Sequence, residues 1–385
     1  MKAKITMIVL ILISMCFLFT GCLTSSLGVD ETIVMQAIGI DLDFEKAEYK
    51  VTIECFDLSK ASGGGKDGVE EKPQYITTYG KSIEQAIMNT TKITGVNPIY
   101  SQNRVIVFGD SILKNGLEAG FDVFIRDYRT RSSTPVVAAK GFTASDVVKA
   151  KSEGLSAFPA STLQAIVKSG KINSLTKEVT VMELVKMCEE KTTAAYIPAI
   201  TLVKEGDDYK AKSDGIAILK DRKLCGYLDS NETRAMLSVI NEIESGTVTL
   251  EKSAVGISTL EISESKTRVK MEITPDGNLK YIINISSSLD LMETEFRKDC
   301  ELTEKEIKML KKDVEKYIKH QVDGTLNKCL VEYRCDPFRF GQRLWQENPK
   351  EYRKVSGDWE DVLPNIQTDV NVDVKIRRIG RHGVK

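Results

Sequence analysis

The sequence predicts a mixed α+β and α/β protein of two or three domains, with mixed sheets packed against helices behind an N-terminal export signal. Three observations carry that reading. Apolar runs of period two alternate with runs of helical period from Ile33 to Glu190, the rhythm of strands layered with helices. From Thr247 to Ser288 the pattern is nearly all β, and a long amphipathic helix follows it. The chain also opens with two lysines and an apolar run that ends on small residues. At 385 residues with 42% hydrophobic content, it can bury real cores and exceeds one typical domain. A net charge of −1 provides no nucleic-acid footprint.

Lys2 and Lys4 precede the apolar run Ile5 to Phe19, which is shorter than the ~20 residues needed to cross a bilayer. Thr20-Gly21-Cys22 then resembles a lipobox, with Phe19 where Leu is preferred. This arrangement implies cleavage after residue 21 and acylation of Cys22, with palmitate-type chains contributing ~0.8 kcal/mol per buried CH₂. A plain secretory signal or an uncleaved anchor is the alternative. Residues 22–31 then form the lipidated start and tether.

Ile33–Asp41 and Tyr49–Asp57 read as strands joined by Leu42–Glu48. The stretch Lys60–Lys72 reads as a loop, and its Gly63-Gly64-Gly65-Lys66 lacks phosphate-loop spacing. Ser82 to Gln85 forms a capping box for a helix that Gly95 ends. Arg104–Phe108 and Pro135–Lys140 are short strands; helical segments run from Gly109 through Asp127, and another helix starts at Phe142–Ser145. Helices follow at Pro159–Lys168 and, capped by Thr180 and Glu183, at Val181–Glu190. Tyr196–Val203, Gly215–Lys220 and Lys223–Leu228 are strands, and Asp229–Glu232 caps a helix from Thr233 to Glu244 that Gly246 stops. Pro275-Asp276-Gly277 marks a hairpin turn. Thr303–Glu306 caps the long helix, whose stripe is Ile307, Leu310, Val314, Ile318 and Val322 and whose end is near Glu332. Thr368–Ile376 closes the chain as a strand. The expected units are 1–21, 22–31, 32–206, 207–256 and 257–385, with 75–195 readable as an insertion if 33–57 pairs with 215–228.

Catalytic groups are scarce. The only histidines are His320, on the polar side of the long helix, and His382, in the tail. Ser-x-x-Lys occurs at Ser111–Lys114 and Ser263–Lys266 without companion motifs, and no zinc or nucleophile-elbow pattern exists. No cofactor or metal is expected, and an enzyme is the weaker reading. Cys55, Cys188, Cys225, Cys300, Cys329 and Cys335 remain after the signal. Their apolar neighbours favour buried thiols, with pairing left open.

Several segments together resemble the Ger(x)C family, the lipoprotein C subunits of nutrient germinant receptors in endospore formers. Ala37-Ile38-Gly39-Ile40-Asp41 is similar to its early "GIGID" strand end, and Tyr100 to Gly109 to its "VIIFGE" strand. Phe124-Ile125-Arg126-Asp127 with Arg129 and Arg131 resembles "FLxRDxExR". Gly215–Leu228 is similar to a two-strand motif, and Asp336-Pro337-Phe338-Arg339-Phe340-Gly341 resembles "DIFGFG", with Pro349 and Trp359 following. Ile376-Arg377-Arg378-Ile379-Gly380 fits the terminal "IRRxG". Asn103, Pro337 and Arg339 depart from the usual residues, as does Cys22-Leu23-Thr24 from "CWD".

The resemblance implies three α/β-type domains on a lipid anchor, on the outer face of the spore inner membrane. It implies assembly with an A subunit and a permease-like B subunit, and no catalytic residues. Arg126, Asp127, Arg377 and Arg378 are candidates for contacts, with internal ion pairing as the structural explanation. A transporter's substrate-binding lipoprotein is the alternative reading, but aromatic residues make up only 7% of the chain and no duplicated lobe is evident.

Overall fold

The computed structural model describes residues 32–57, 72–99, 101–126, 130–152, 158–294 and 302–379. The signal, Cys22, the tether, Gly63–Lys66, Asp127, Arg129, Cys300 and His382 lie outside the described residues.

Strands β1 (Thr32–Asp43), β2 (Glu48–Asp57) and β3 (Gln74–Gly80) form an antiparallel meander. The connection expected over Leu42–Glu48 is a tighter turn, because both strands extend into it and Ala47 adopts a positive φ of 49°. Two short helices follow, α1 (Ile83–Met88) and α2 (Thr91–Thr94), where one was expected. Gly95, at φ 73°, ends the second of them. Strands β4 (Asn97–Ile99) and β5 (Val105–Gly109) lie parallel to successive parts of β1.

From β5 the chain passes through α3 (Asp110–Asn115) and α4 (Glu118–Arg126) to β6 (Val136–Ala139). Helices α5 (Ala144–Val148), α6 (Pro159–Lys168), α7 (Gly170–Asn173) and α8 (Val181–Glu189) then lead to β7 (Ala195–Glu205). Strands β8 (Asp208–Lys220) and β9 (Lys223–Leu228) finish a mixed sheet in the order β3-β2-β1-β5-β6-β7-β8-β9, with β4 sharing the edge of β1. The pairing of 33–57 with 215–228 is therefore not made: β5, β6 and β7 stand between β1 and β8. The 206/207 border falls at Gly206, in the turn between β7 and β8, which pair with each other.

The central strands are covered on both faces, which is why they read as continuous apolar runs. Ala37, Val105, Val107, Val137 and Ala139 face α5 and α6. Ile38, Ile40, Ile106, Phe108, Val136 and Ala138 belong to the opposite core with α1, α3 and α8.

Helix α9 (Ser230–Val239) leads to a second sheet of β10 (Thr247–Leu250), β11 (Ser258–Ile273), β12 (Leu279–Thr294) and β13 (Gln367–Ile379). The last strand runs parallel to β12 after a crossover through α10 (Glu304–Asn327). Val248, Leu260, Leu289 and Val374 pack there with Leu310 and Val314 of α10. The all-β stretch is interrupted at residues 251–257, and the hairpin turn at Pro275–Gly277 is closed by Thr274 N–H to Asn278 O at 2.9 Å.

Helix α9 stops at Val239, short of the expected Glu244. Asn241 takes a left-handed φ of 60°, and Glu242 N–H bonds to Leu237 O at 2.8 Å, closing a Schellman-type end before Gly246 is reached. Three expected capping boxes close reciprocally at Thr180, Asp229 and Thr303. At Ser82 only half forms, because Gln85 Oε1 accepts from Lys81 N–H at 2.6 Å. A further box, Thr143 with Asp146, was hidden by the shorter acid.

After α10 one π turn (Lys328–Glu332) precedes α11 (Phe340–Glu347), α12 (Pro349–Val355) and α13 (Trp359–Val362). Among the described residues no helix is long and apolar enough to cross a membrane.

Candidate functional site

The segments singled out by motif fold into two structural devices, one inside the large sheet and one between the sheets. At the end of β1, Asp41 is buried and accepts from the N–H groups of Ala144 (2.8 Å) and Ser145 (3.1 Å), the start of α5. It therefore acts as a remote N-cap. Burial raises the Asp41 pKa against the lowering effect of those two N–H groups. Gly39 lets the helix approach, since a Cβ there would stand 2.9 Å from Ala144 O, and a Cβ on Gly109 would collide with Asp41 itself. The early strand motif and the end of the β5 motif thus build one corner.

The second device is the Asp336–Gly341 turn. Asp336 is buried and accepts from Phe338 N–H (3.1 Å) and Gly341 N–H (2.8 Å). Burial lifts its pKa to about 6, with the backbone N–H groups opposing. Arg339, at φ 63°, turns its guanidinium to Glu242 (3.0 Å) and Tyr196 Oη (3.4 Å). Phe340 stacks on Tyr281 of β12 at 4.2 Å between ring centroids, and the Tyr281 hydroxyl donates to Phe340 O at 2.9 Å. The Asp336 carbonyl accepts from Ala194 N–H at 2.9 Å, just ahead of β7. One turn therefore grips both sheets.

Beside it lies a cleft of about 410 Å³, between the β8–β9 turn and the segments around Asp336 and Trp359. Lys191, Lys220, Arg222 and Arg334 bring positive charge to its wall, and Glu190, Asp221, Asp336 and Glu360 balance it. Lys220 is ion-paired with Glu360. Cys335 is buried in the wall of this cleft, and its sulfur lies 2.8 Å from Cys225 Sγ. Cys55 and Cys329 are buried, whereas Cys188 is half-buried on the cleft wall and burial pushes its thiol up to about 12.

The other candidates are dispersed. Arg126 is exposed at the end of α4. Arg377 pairs with Glu264 at 2.7 Å across β12, and Arg378 stands opposite Asp290 in the ladder. His320 is exposed on α10. Ser111 Oγ accepts from Leu42 N–H, while Lys114 pairs with Asp110. Ser263 donates to Ser288 O, and Lys266 pairs with Glu264. Neither Ser-x-x-Lys set forms a nucleophile and base. Among the described residues no cluster of metal-ligating side chains occurs. The thiol pair and Glu54, another buried acid, were missed; the 110-residue spacing of the thiols carries no sequence signal.

Residues 28–202 match the family model described as spore germination protein N-terminal domain, and residues 214–380 the model described as spore germination B3/GerAC like, C-terminal. The chain belongs to the Ger(x)C family. Spore germination protein B3 of Bacillus subtilis is 25% identical over 346 residues, covering 87% of this chain and 88% of that one. Spore germination protein YndF of the same organism is 24% identical, covering 83% and 78%. The crystal structure of the GerBC protein matches with a TM-score of 0.59 at 22% identity, covering 88% of this chain and 96% of that one. The mixed α+β fold with two mixed sheets is thus a Ger(x)C fold. In this Ger(x)C chain, Asp41 and Asp336 act as buried acceptors that fix backbone, which accounts for both motifs by packing alone.

Proposed function

We propose that this protein is the lipid-anchored, noncatalytic C subunit of a nutrient germinant receptor. Membership of a spore-germination family over nearly the whole chain carries this reading. In it, residues 1–21 are the signal peptide and Cys22 is acylated. The folded part sits on the outer face of the spore inner membrane, where it meets an A subunit and a permease-like B subunit. A transporter's binding lipoprotein has two similar lobes, whereas this chain builds a nine-stranded and a four-stranded sheet of different topology.

The test is gene deletion followed by germination assays on nutrient mixtures, with calcium-dipicolinate as the receptor-independent control. Loss of a nutrient response with an intact dipicolinate response, restored by wild type but not by Cys22→Ala, is expected. Restoration by Cys22→Ala would refute the anchor, and tight binding of a small solute by the isolated subunit would favour the transport reading.

A further inference from the structure

We propose that Cys225 and Cys335 are a reversible redox pair that closes to a disulfide by exchange with a small-molecule disulfide. The proposal stands on geometry and is independent of the germinant-receptor reading. The two sulfurs are 2.8 Å apart, and a bonded pair needs ~2.05 Å, so closure requires a shift of under about 1 Å. Both partners are held where they meet. Cys225 lies in β9 at a bulge, flanked by Leu224 and Gly226, which pair with Leu219 and Ile218 of β8. Cys335 is fixed by its N–H to Cys329 O at 2.9 Å and precedes the Asp336 turn. Tyr333, two residues earlier, lies against Gly226, where any Cβ would run into its ring, and its hydroxyl donates to Tyr227 O at 3.1 Å. The neighbours of both cysteines are thus clamped to each other.

Access is by way of Cys225, which is half-buried, while Cys335 is buried in the cleft wall behind it. The thiols also differ in reactivity. The hydrogen bond from Cys335 lowers the Cys225 pKa, and Lys220 lowers it further, against the opposing effect of burial. Cys188 and Cys329 are both raised by burial and stay as thiols. Cys225, half-buried where Cys335 is buried, is therefore the attacking sulfur.

The Cys225 thiolate attacks one sulfur of the oxidant RS–SR, forming a mixed disulfide and releasing RS⁻. Cys335, losing its proton, then attacks the Cys225 sulfur and releases the second RS⁻. Two protein thiols are oxidised, one small disulfide is reduced to two thiols, and the two protons go to those thiols. The new bond ties β9 of the large sheet to the segment that enters the Asp336–Gly341 turn. Oxidation state would then set how firmly the two sheets are joined.

The test equilibrates the full-length protein in glutathione buffers from reduced to oxidised. Samples are acid-quenched, alkylated in denaturant and mapped by peptide mass. A Cys225–Cys335 cross-linked peptide should appear as the buffer becomes oxidising and disappear on reduction. Cys188→Ser should leave it in place, and Cys225→Ser or Cys335→Ser should abolish it. The melting temperature of the oxidised wild type should rise by roughly 5 °C, because the bond closes a long loop. Full alkylation of both cysteines in every buffer would overturn the proposal. So would a stable glutathione adduct on Cys225, or a cross-link from either cysteine to any other. The wild-type map alone decides the matter, whether or not a variant folds.

Discussion

Asp41, Glu54 and Asp336 lie out of water, and each accepts backbone N–H groups at the start of a helix or inside a tight turn. A carboxylate kept there trades its hydration for those bonds, and the balance differs between the three. Glu54 is the least compensated. One oxygen accepts from Ala160 N–H of α6 at 2.9 Å, and the other has no partner. Burial lifts its pKa from 4.5 to about 7, with the Ala160 N–H and Arg104 opposing. The folded state therefore holds a proton between those values that the unfolded chain has released. Stability from this group is full below pH 4.5 and is lost as pH rises through 7, by on the order of 3 kcal/mol. Glu54→Gln should match wild type in melting temperature at pH 5 and exceed it at pH 8. An equal loss in both proteins between those pH values would contradict the assignment. Asp41 differs in that both of its oxygens are engaged. Asp41→Ala leaves two buried N–H groups without an acceptor and should cost about 2–4 kcal/mol in denaturant unfolding, with Asp41→Asn costing less.

At the scale of elements, helix starts were the most legible feature, because a reciprocal cap is a local pattern of residue types. Thr180, Asp229 and Thr303 each sit three residues before a Glu whose side chain returns to the cap. Helix ends were less legible. Gly246 suggested the stop for α9, yet Asn241 ends it, since its amide can occupy the left-handed region and meet a partner outside the helix. Asn241 Oδ1 accepts from Thr267 N–H of β11 at 2.7 Å, a contact 26 residues away that no local pattern announces. Asn241→Gly keeps the turn and loses that bond, whereas Asn241→Ala loses the bond and strains the turn as well. Chemical denaturation should rank them wild type, Gly, Ala, with the Ala variant about 2 kcal/mol below wild type. An Ala variant as stable as the Gly variant would mean that the left-handed position bears no strain.

For the whole molecule, strand identities were readable and their order was not, because pairing depends on contacts far apart in sequence. β1 meets β5 across 68 residues, and the link between the sheets depends on Tyr281, Phe340 and Asp336, which only the folded chain brings together. This linkage has a thermodynamic consequence. The second sheet has its own core under α10, and the α5–α6 face of the large sheet has another, while the remaining core runs through both sheets by way of Tyr281, Phe338, Phe340 and Trp359. Cooperative unfolding therefore depends on the turn that holds those aromatics in place. Asp336→Ala removes the acceptor for Phe338 and Gly341 N–H groups and frees Arg339 from its left-handed setting. Two buried N–H groups left unpaired cost about 1–3 kcal/mol each, enough to release the turn while leaving the α10 core intact. Calorimetry of wild type should show one transition, and Asp336→Ala should split it, with the second sheet and α10 melting separately. Asp336→Asn, which retains an acceptor oxygen, should lower the single transition without dividing it. A single sharp transition in the Ala variant would place the coupling elsewhere, in the backbone bond from Ala194 or the contact between α9 and α10.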